Sequence, residues 1–158
     1  MAMQAFSASL PMMLYRALDA VMPPFRRIFS AHGLTEPQWR VLRVLWERDT
    51  LSQRELAALT LIPAPSLVGV LDRLGSAGLV ERVRSDTDRR NVPVRLSARG
   101  RDLEEAVMPA VAAAYAELER SFDARTWRQL HAALARVAAR TPAGAAQRKR
   151  RSRRGETA

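Results

Sequence analysis

A chain of 158 residues, 47% of them hydrophobic, is long enough to bury one core with a modest appendage. Its 26 Lys and Arg against 16 Asp and Glu leave a net charge of +10 and an isoelectric point near 11.5, a surplus that points to a polyanionic partner, nucleic acid before an anionic membrane. The absence of cysteine excludes disulfides, thiolate nucleophiles, zinc fingers and cysteine-based redox sensing, and no Lys or Arg precedes Arg16 to form the basic region of a signal peptide.

Residues 10–32 are apolar-rich, with Leu14, Leu18, Val21, Phe25, Ile28 and Phe29 at helical spacings. Pro23-Pro24 falls inside that pattern, so two helical pieces or one kinked helix are expected. Thr35-Glu36-Pro37-Gln38 is a capping box, with Leu34 and Trp39 placed as a hydrophobic staple, and it opens a helix to about residue 48. Ser52-Gln53-Arg54-Glu55 is a second box, stapled by Leu51 and Leu56, for a short helix to about residue 59. Pro63 and Pro65 suit a turn and a first helical turn, where a missing N–H costs nothing, and the helix they start runs to about Ala77. Gly78 is placed as its left-handed stop.

Residues 79–83 and 92–96 read as two short strands, the second alternating Val92, Val94 and Leu96 with Asn91, Pro93 and Arg95. The tip between them is Arg84-Ser85-Asp86-Thr87-Asp88-Arg89-Arg90-Asn91. Ser97 then caps a long helix to about Ser121, with a kink expected at Pro109. Asp123 caps a last helix, stapled by Phe122 and Trp127 and striped by Trp127, Leu130, Leu134 and Val137. From Thr141 onward Pro, Gly, Ala and Arg dominate without periodicity, the pattern of a disordered basic tail. Six of its basic residues lie within 148–154, so about half of the net charge sits there and the rest on the body. The longest apolar run, 106–116, is too short to span a bilayer, and a cytoplasmic protein without a membrane partner is expected.

The fold class is thus mainly α with a small β-hairpin wing: a winged helix-turn-helix flanked by further apolar helices. On the helix after Pro63, Leu67, Val70, Leu71 and Leu74 form one apolar stripe, while Ser66, Val68, Gly69, Asp72 and Arg73 share the opposite face. A groove-reading helix needs that division. Ser66 can bond a base edge or phosphate, Val68 can meet a thymine methyl, and Arg73 can reach phosphate or guanine. An ordinary amphipathic surface helix has the same pattern; the arginine-bearing tip that follows tilts the reading toward DNA. There, Arg84, Arg89 and Arg90 suit a narrow minor groove, and Asp88 suits a shape-holding ion pair. A merely solvated charged hairpin is the alternative.

Taken together, these segments resemble the MarR-type transcriptional regulators, named for multiple antibiotic resistance, over about residues 10–140. The resemblance is carried by Gly78-Leu79-Val80, by Asp88-Arg89-Arg90-Asn91-Val92-Pro93-Val94-Arg95-Leu96-Ser97-Ala98-Arg99-Gly100, where Ser97 replaces the family's Thr, and by Leu67 through Leu74. Phe25-Arg26, His32, Leu34-Thr35-Glu36, Gln38-Trp39-Arg40, Pro65-Ser66-Leu67 and Gly69 resemble the branch that regulates homoprotocatechuate and related aromatic-acid catabolism. The resemblance implies a homodimer joined by residues 1–34 and 98–140, a DNA-reading module at 35–97 and a basic tail at 141–158. It implies a palindromic double-stranded operator and a small aromatic carboxylic acid as effector.

Arg16, Arg26, Arg40 and Arg43 are candidate carboxylate partners, with Trp39 for stacking and His32 for a hydrogen bond. Against these stand plainer roles: a staple for Trp39, a helix-end histidine for His32, a solvated face for the arginines. No cofactor or metal is implied. An enzyme is disfavoured because His32 and His131 are far apart and no nucleophile, phosphate loop or ligand cluster accompanies them. A non-specific nucleic-acid-binding protein is the remaining rival, since the Arg-rich tail alone suits any polyanion.

Overall fold

A computed structural model describes residues 5–83 and 92–139. These form two compact units, one reaching Tyr115 and one beginning at Ala116. After a 3-10 turn at Phe6–Ala8, the first unit contains α1 (Leu10–Ala31), α2 (Glu36–Glu47), β1 (Thr50–Leu51), α3 (Gln53–Thr60), α4 (Ala64–Ser76), β2 (Val80–Arg82), β3 (Val94–Leu96) and most of α5 (Ala98–Arg120). The second contains the end of α5 and α6 (Ala124–Ala138).

The local signals explain where the elements begin and end. The Thr35 hydroxyl accepts from the Gln38 N–H while the Gln38 side chain accepts from the Thr35 N–H, and Ser52 and Glu55 do the same for α3. Donation from the Ser52 hydroxyl and N–H holds the Glu55 carboxyl below its ordinary value near 4.5. A carboxyl lowered on folding stabilises the protein above its unfolded value, and that contribution is lost as pH falls through the lowered one. Carboxyl-detected NMR should therefore place the Glu55 midpoint below 4.5 in the folded protein and move it part of the way back in Ser52→Ala, which keeps the backbone N–H donor. A Glu55 midpoint that is the same in both proteins would dissociate the cap from the shift.

Both α1 and α4 end in Schellman turns. The Leu34 N–H reaches the Phe29 carbonyl across Gly33 at φ 69°, and the Leu79 N–H reaches the Leu74 carbonyl across Gly78 at φ 68°. Of the two arrangements expected at Pro23-Pro24, two separate pieces are not formed: α1 is one helix of 22 residues with both prolines inside it. Both prolines are exposed, so the carbonyls of residues 19 and 20 that lose their donors face solvent, while Phe25 and Phe29 bury the other face. Pro109 likewise lies inside a continuous α5.

The sheet has three strands, one more than expected, in the order β1-β3-β2, all antiparallel. Its third strand is only Thr50–Leu51, too short to show a period of two. The register sets Val80 opposite Leu96 and Arg82 opposite Val94. Glu81 and Arg95, directly opposed, form an ion pair at 3.1 Å. One core joins Phe29, Leu42, Leu45, Leu56, Leu67, Leu74, Val94 and Val107. In the second unit, Phe122 packs on Trp127 at 5.7 Å between ring centroids, and α6 has no buried residue. Among the described residues no single helix is long and apolar enough to cross a membrane.

Candidate nucleic-acid interface and effector residues

The axes of α3 and α4 differ by 107°, the angle of a helix-turn-helix. Leu67, Val70, Leu71 and Leu74 anchor α4 in the core and leave Ser66, Val68, Asp72 and Arg73 exposed, with Gly69 partly so. Pro63 is the residue before the helix and Pro65 lies in its first turn; both are exposed. No side chain caps α4: Pro65 has no N–H, and the Ser66 and Leu67 N–H groups bond the Pro63 carbonyl at 2.9 and 3.0 Å, which leaves the Ala64 N–H at the helix start. Arg73 folds back along the helix: a Cβ built on Gly69 would lie 3.7 Å from its Nη1. The guanidinium thus rests over Gly69 at a distance that a Cβ would meet as ordinary van der Waals contact.

An ion pair absent from the sequence reading links α4 to the wing stem. Arg82 Nη2 lies 2.7 Å from the Asp72 carboxylate. Both side chains are more than half exposed, so the pair contributes at most about 1 kcal/mol and acts mainly by fixing β2 against α4. Nothing local signals a contact ten residues apart between a helix and a strand. The stem itself is closed by the Val83 N–H on the Pro93 carbonyl at 2.8 Å. Arg84, Asp88, Arg89 and Arg90 lie outside the described residues.

Ser97 joins the end of β3 to α5. Its hydroxyl donates to the Gly78 carbonyl at 2.6 Å and accepts from the Gly100 N–H at 3.0 Å. The same oxygen therefore serves the turn that ends α4 and the first turn of α5.

The effector candidates fall into separate places. Arg16 and Arg26 line a surface depression of about 360 Å³ on α1 with Met12, Tyr15, Leu18 and Asp19. Arg26 also pairs with Glu36 at 3.1 Å. Arg43 pairs with Glu47 at 2.9 Å on the same helix. Arg40 donates from Nη1 to the Thr60 carbonyl at 3.0 Å, satisfying the C-terminus of α3, and its Nε is buried without a protein partner. His32 is the C-cap of α1. Trp39 stacks on Phe29 at 4.5 Å and meets the edge of Trp46 at 5.3 Å, and the Trp46 indole donates to the Gly100 carbonyl at 2.9 Å. The staple role of Trp39 is thus met by a longer aromatic chain that runs from α1 through α2 to α5. Tyr115 lies against Phe25 at 4.7 Å, an aromatic neighbour that sequence spacing alone did not single out.

A profile of the MarR family matches residues 32–91. Over 116 residues the chain is 38% identical to the HTH-type transcriptional regulator FarR of Neisseria gonorrhoeae, covering 73% of this chain and 80% of that protein. The chain belongs to the MarR family. The homoprotocatechuate degradative operon repressor of Escherichia coli is 36% identical over 122 residues, covering 77% of this MarR chain and 82% of the repressor. Among solved MarR-like structures, NadR in complex with 4-hydroxyphenylacetate matches with a TM-score of 0.72 and 36% identity, over 87% of this chain and 98% of NadR. These relatives are transcriptional regulators, and the resemblance read from the wing and reading-helix residues is to the same family.

Proposed function

We propose that this MarR-family protein is a homodimeric repressor that binds a palindromic operator and is released by a small aromatic carboxylic acid. The observation that carries it is the 107° helix pair that presents the exposed face of α4 beside the β2–β3 stem. Residues 35–97 read DNA, with Pro63, Pro65, Ser66, Val68, Gly69 and Arg73 on the helix side and Arg84, Asp88, Arg89 and Arg90 at the wing. Residues 1–34 and 98–140 join the two protomers. Exposed Phe6, Leu10, Met13 and Leu18 near the start, and Leu130, Leu134 and Val137 on α6, support that assignment as apolar surface for a second copy. The basic tail at 141–158 adds sequence-independent attraction to phosphate and favours a cytoplasmic, chromosome-bound protein.

The effector class rests on NadR, whose solved complex holds 4-hydroxyphenylacetate, and on the supply of guanidinium and aromatic groups along α1 and α2. Arg16, Arg26, Arg40, Arg43, His32 and Trp39 are the residues assigned to it. Such a ligand releases DNA only by binding more tightly to the arrangement that DNA does not accept.

The test is a fluorescence-anisotropy titration onto the DNA upstream of the protein's own coding region, against excess unrelated duplex, repeated with a panel of aromatic acids. Competitor-resistant binding relieved by one acid is expected. Arg73→Ala should weaken operator binding by about 1–3 kcal/mol with dimerisation intact; unchanged affinity would remove Arg73 from the interface. Trp39→Ala or Arg43→Ala should shift the acid's half-maximal concentration more than operator affinity, and a response that survives both changes would place the effector elsewhere.

A further inference from the structure

The turn between α3 and α4 holds Leu61 at φ 55°, the only non-glycine residue with positive φ among the described residues, and leaves its side chain 80% exposed. Both features are unfavourable for leucine. The left-handed conformation crowds Cβ against the backbone, which glycine avoids, and an exposed isobutyl group forfeits burial. A strained residue kept beside a functional helix is a candidate for use at that site.

Its surroundings say what the use is. From Leu61 to Leu71 the chain has no ionisable side chain, and Ser66 is the only side chain there that can hydrogen-bond. Pro63, Ala64 and Pro65 are exposed, and Val68 is 42% exposed on the outward face of α4. The first charges are Asp72, tied to Arg82, and Arg73, folded over Gly69. Guanine is read by Arg or Lys and adenine by Asn or Gln, and the leading half of α4 has none of these. An apolar surface that can approach closely recognises the C5-methyl group of thymine. We infer that Leu61 and Val68 form an apolar reading edge that selects thymine methyl groups in the half-site facing α4. This rests on the DNA-reading role proposed above for that helix.

The test begins with selection of duplexes from a randomised library by the full-length protein. The preferred duplex is then resynthesised with deoxyuridine in place of thymidine, which deletes the methyl groups alone. Fixed thymine positions are expected, with a loss of about fourfold in affinity for each contacted methyl. Leu61→Gly should bind the thymidine duplex several-fold more weakly and narrow the thymidine-to-deoxyuridine ratio. Its thermal midpoint should rise by about 2–4 °C as the backbone strain is relieved. Val68→Ala should narrow the ratio at a different position.

Equal affinity for the two duplexes overturns the inference, as does a Leu61→Gly variant with a lowered midpoint and an unchanged ratio. Arg73→Ala separates this inference from the reading beneath it, since it should weaken both duplexes equally. A selection that yields no consensus fails the DNA-reading role itself. A consensus, a weakened Arg73→Ala and equal thymidine and deoxyuridine affinities fail the methyl-reading edge alone.

Discussion

Gly100→Ala is expected to destabilise the protein by about 3 kcal/mol, although helix propensity alone would have it gain about 1 kcal/mol. Gly100 lies in the first turn of α5, where alanine is normally the better residue. A Cβ at this position, however, would sit 2.1 Å from the Leu79 carbonyl oxygen and 3.1 Å from both the Leu79 carbonyl carbon and Leu96 Cδ2. Two of those three atoms are backbone at the start of β2, so no rotamer change relieves the contact. Either α5 moves away from the strand or the strand moves away from α4. Both movements pull on the Ser97 hydroxyl bonds and on the Trp46 indole bond to the Gly100 carbonyl. Urea unfolding at fixed protein concentration measures the loss, because a self-associating protein's stability depends on that concentration. An unchanged or improved midpoint would mean that helix propensity outweighs the contact. Operator affinity of the surviving folded fraction should fall as well, since the displaced turn is the one that ends α4.

Phe29→Ala carries the other large effect, a loss of about 3–5 kcal/mol. Phe29 is 2% exposed, stacked on Trp39 with an interplanar angle of 17°. Its deletion removes a ring from the contact of α1 with α2 and leaves one face of Trp39 without a partner. Phe29→Leu keeps much of the apolar volume and should recover most of the loss. The tryptophan emission of the folded state should shift to the red in the alanine variant and less in the leucine variant. A cost below about 1 kcal/mol would show that the site collapses around the cavity. Against the roughly 5–15 kcal/mol typical of such domains, that loss should lower the urea midpoint of the alanine variant by a large fraction.

Much of this architecture was readable from local chemistry. The boxes Thr35/Gln38 and Ser52/Glu55, the cap Asp123 and the stop Gly78 place four helix ends to within one or two residues, because capping is decided by atoms three or four positions apart. The stripe on α4 announced which of its faces is buried for the same reason. What stayed hidden depends on residues distant in sequence. The two-residue strand β1 exists only because β3 lies beside it. The Asp72–Arg82 pair needs the register of β2 against α4, and the need for glycine at position 100 needs the Leu79 carbonyl. Leu61 in a left-handed turn runs against its own backbone preference, so no propensity argument could find it. At Pro23-Pro24 the local rule left open two pieces or one kinked helix, and one helix forms with Phe25 and Phe29 buried just beyond the prolines. The candidate arginines were found as residue types; their separate partners, Glu36, the Thr60 carbonyl and Glu47, were not.

The shared Ser97 hydroxyl has a mechanical consequence. Gly78 and Gly100 are held by one oxygen, which ties the end of α4 to the root of α5, the long shaft of the fold. A shaft of 23 residues is about 34 Å long, and a swing of roughly 5° about its root moves the far end by about 3 Å.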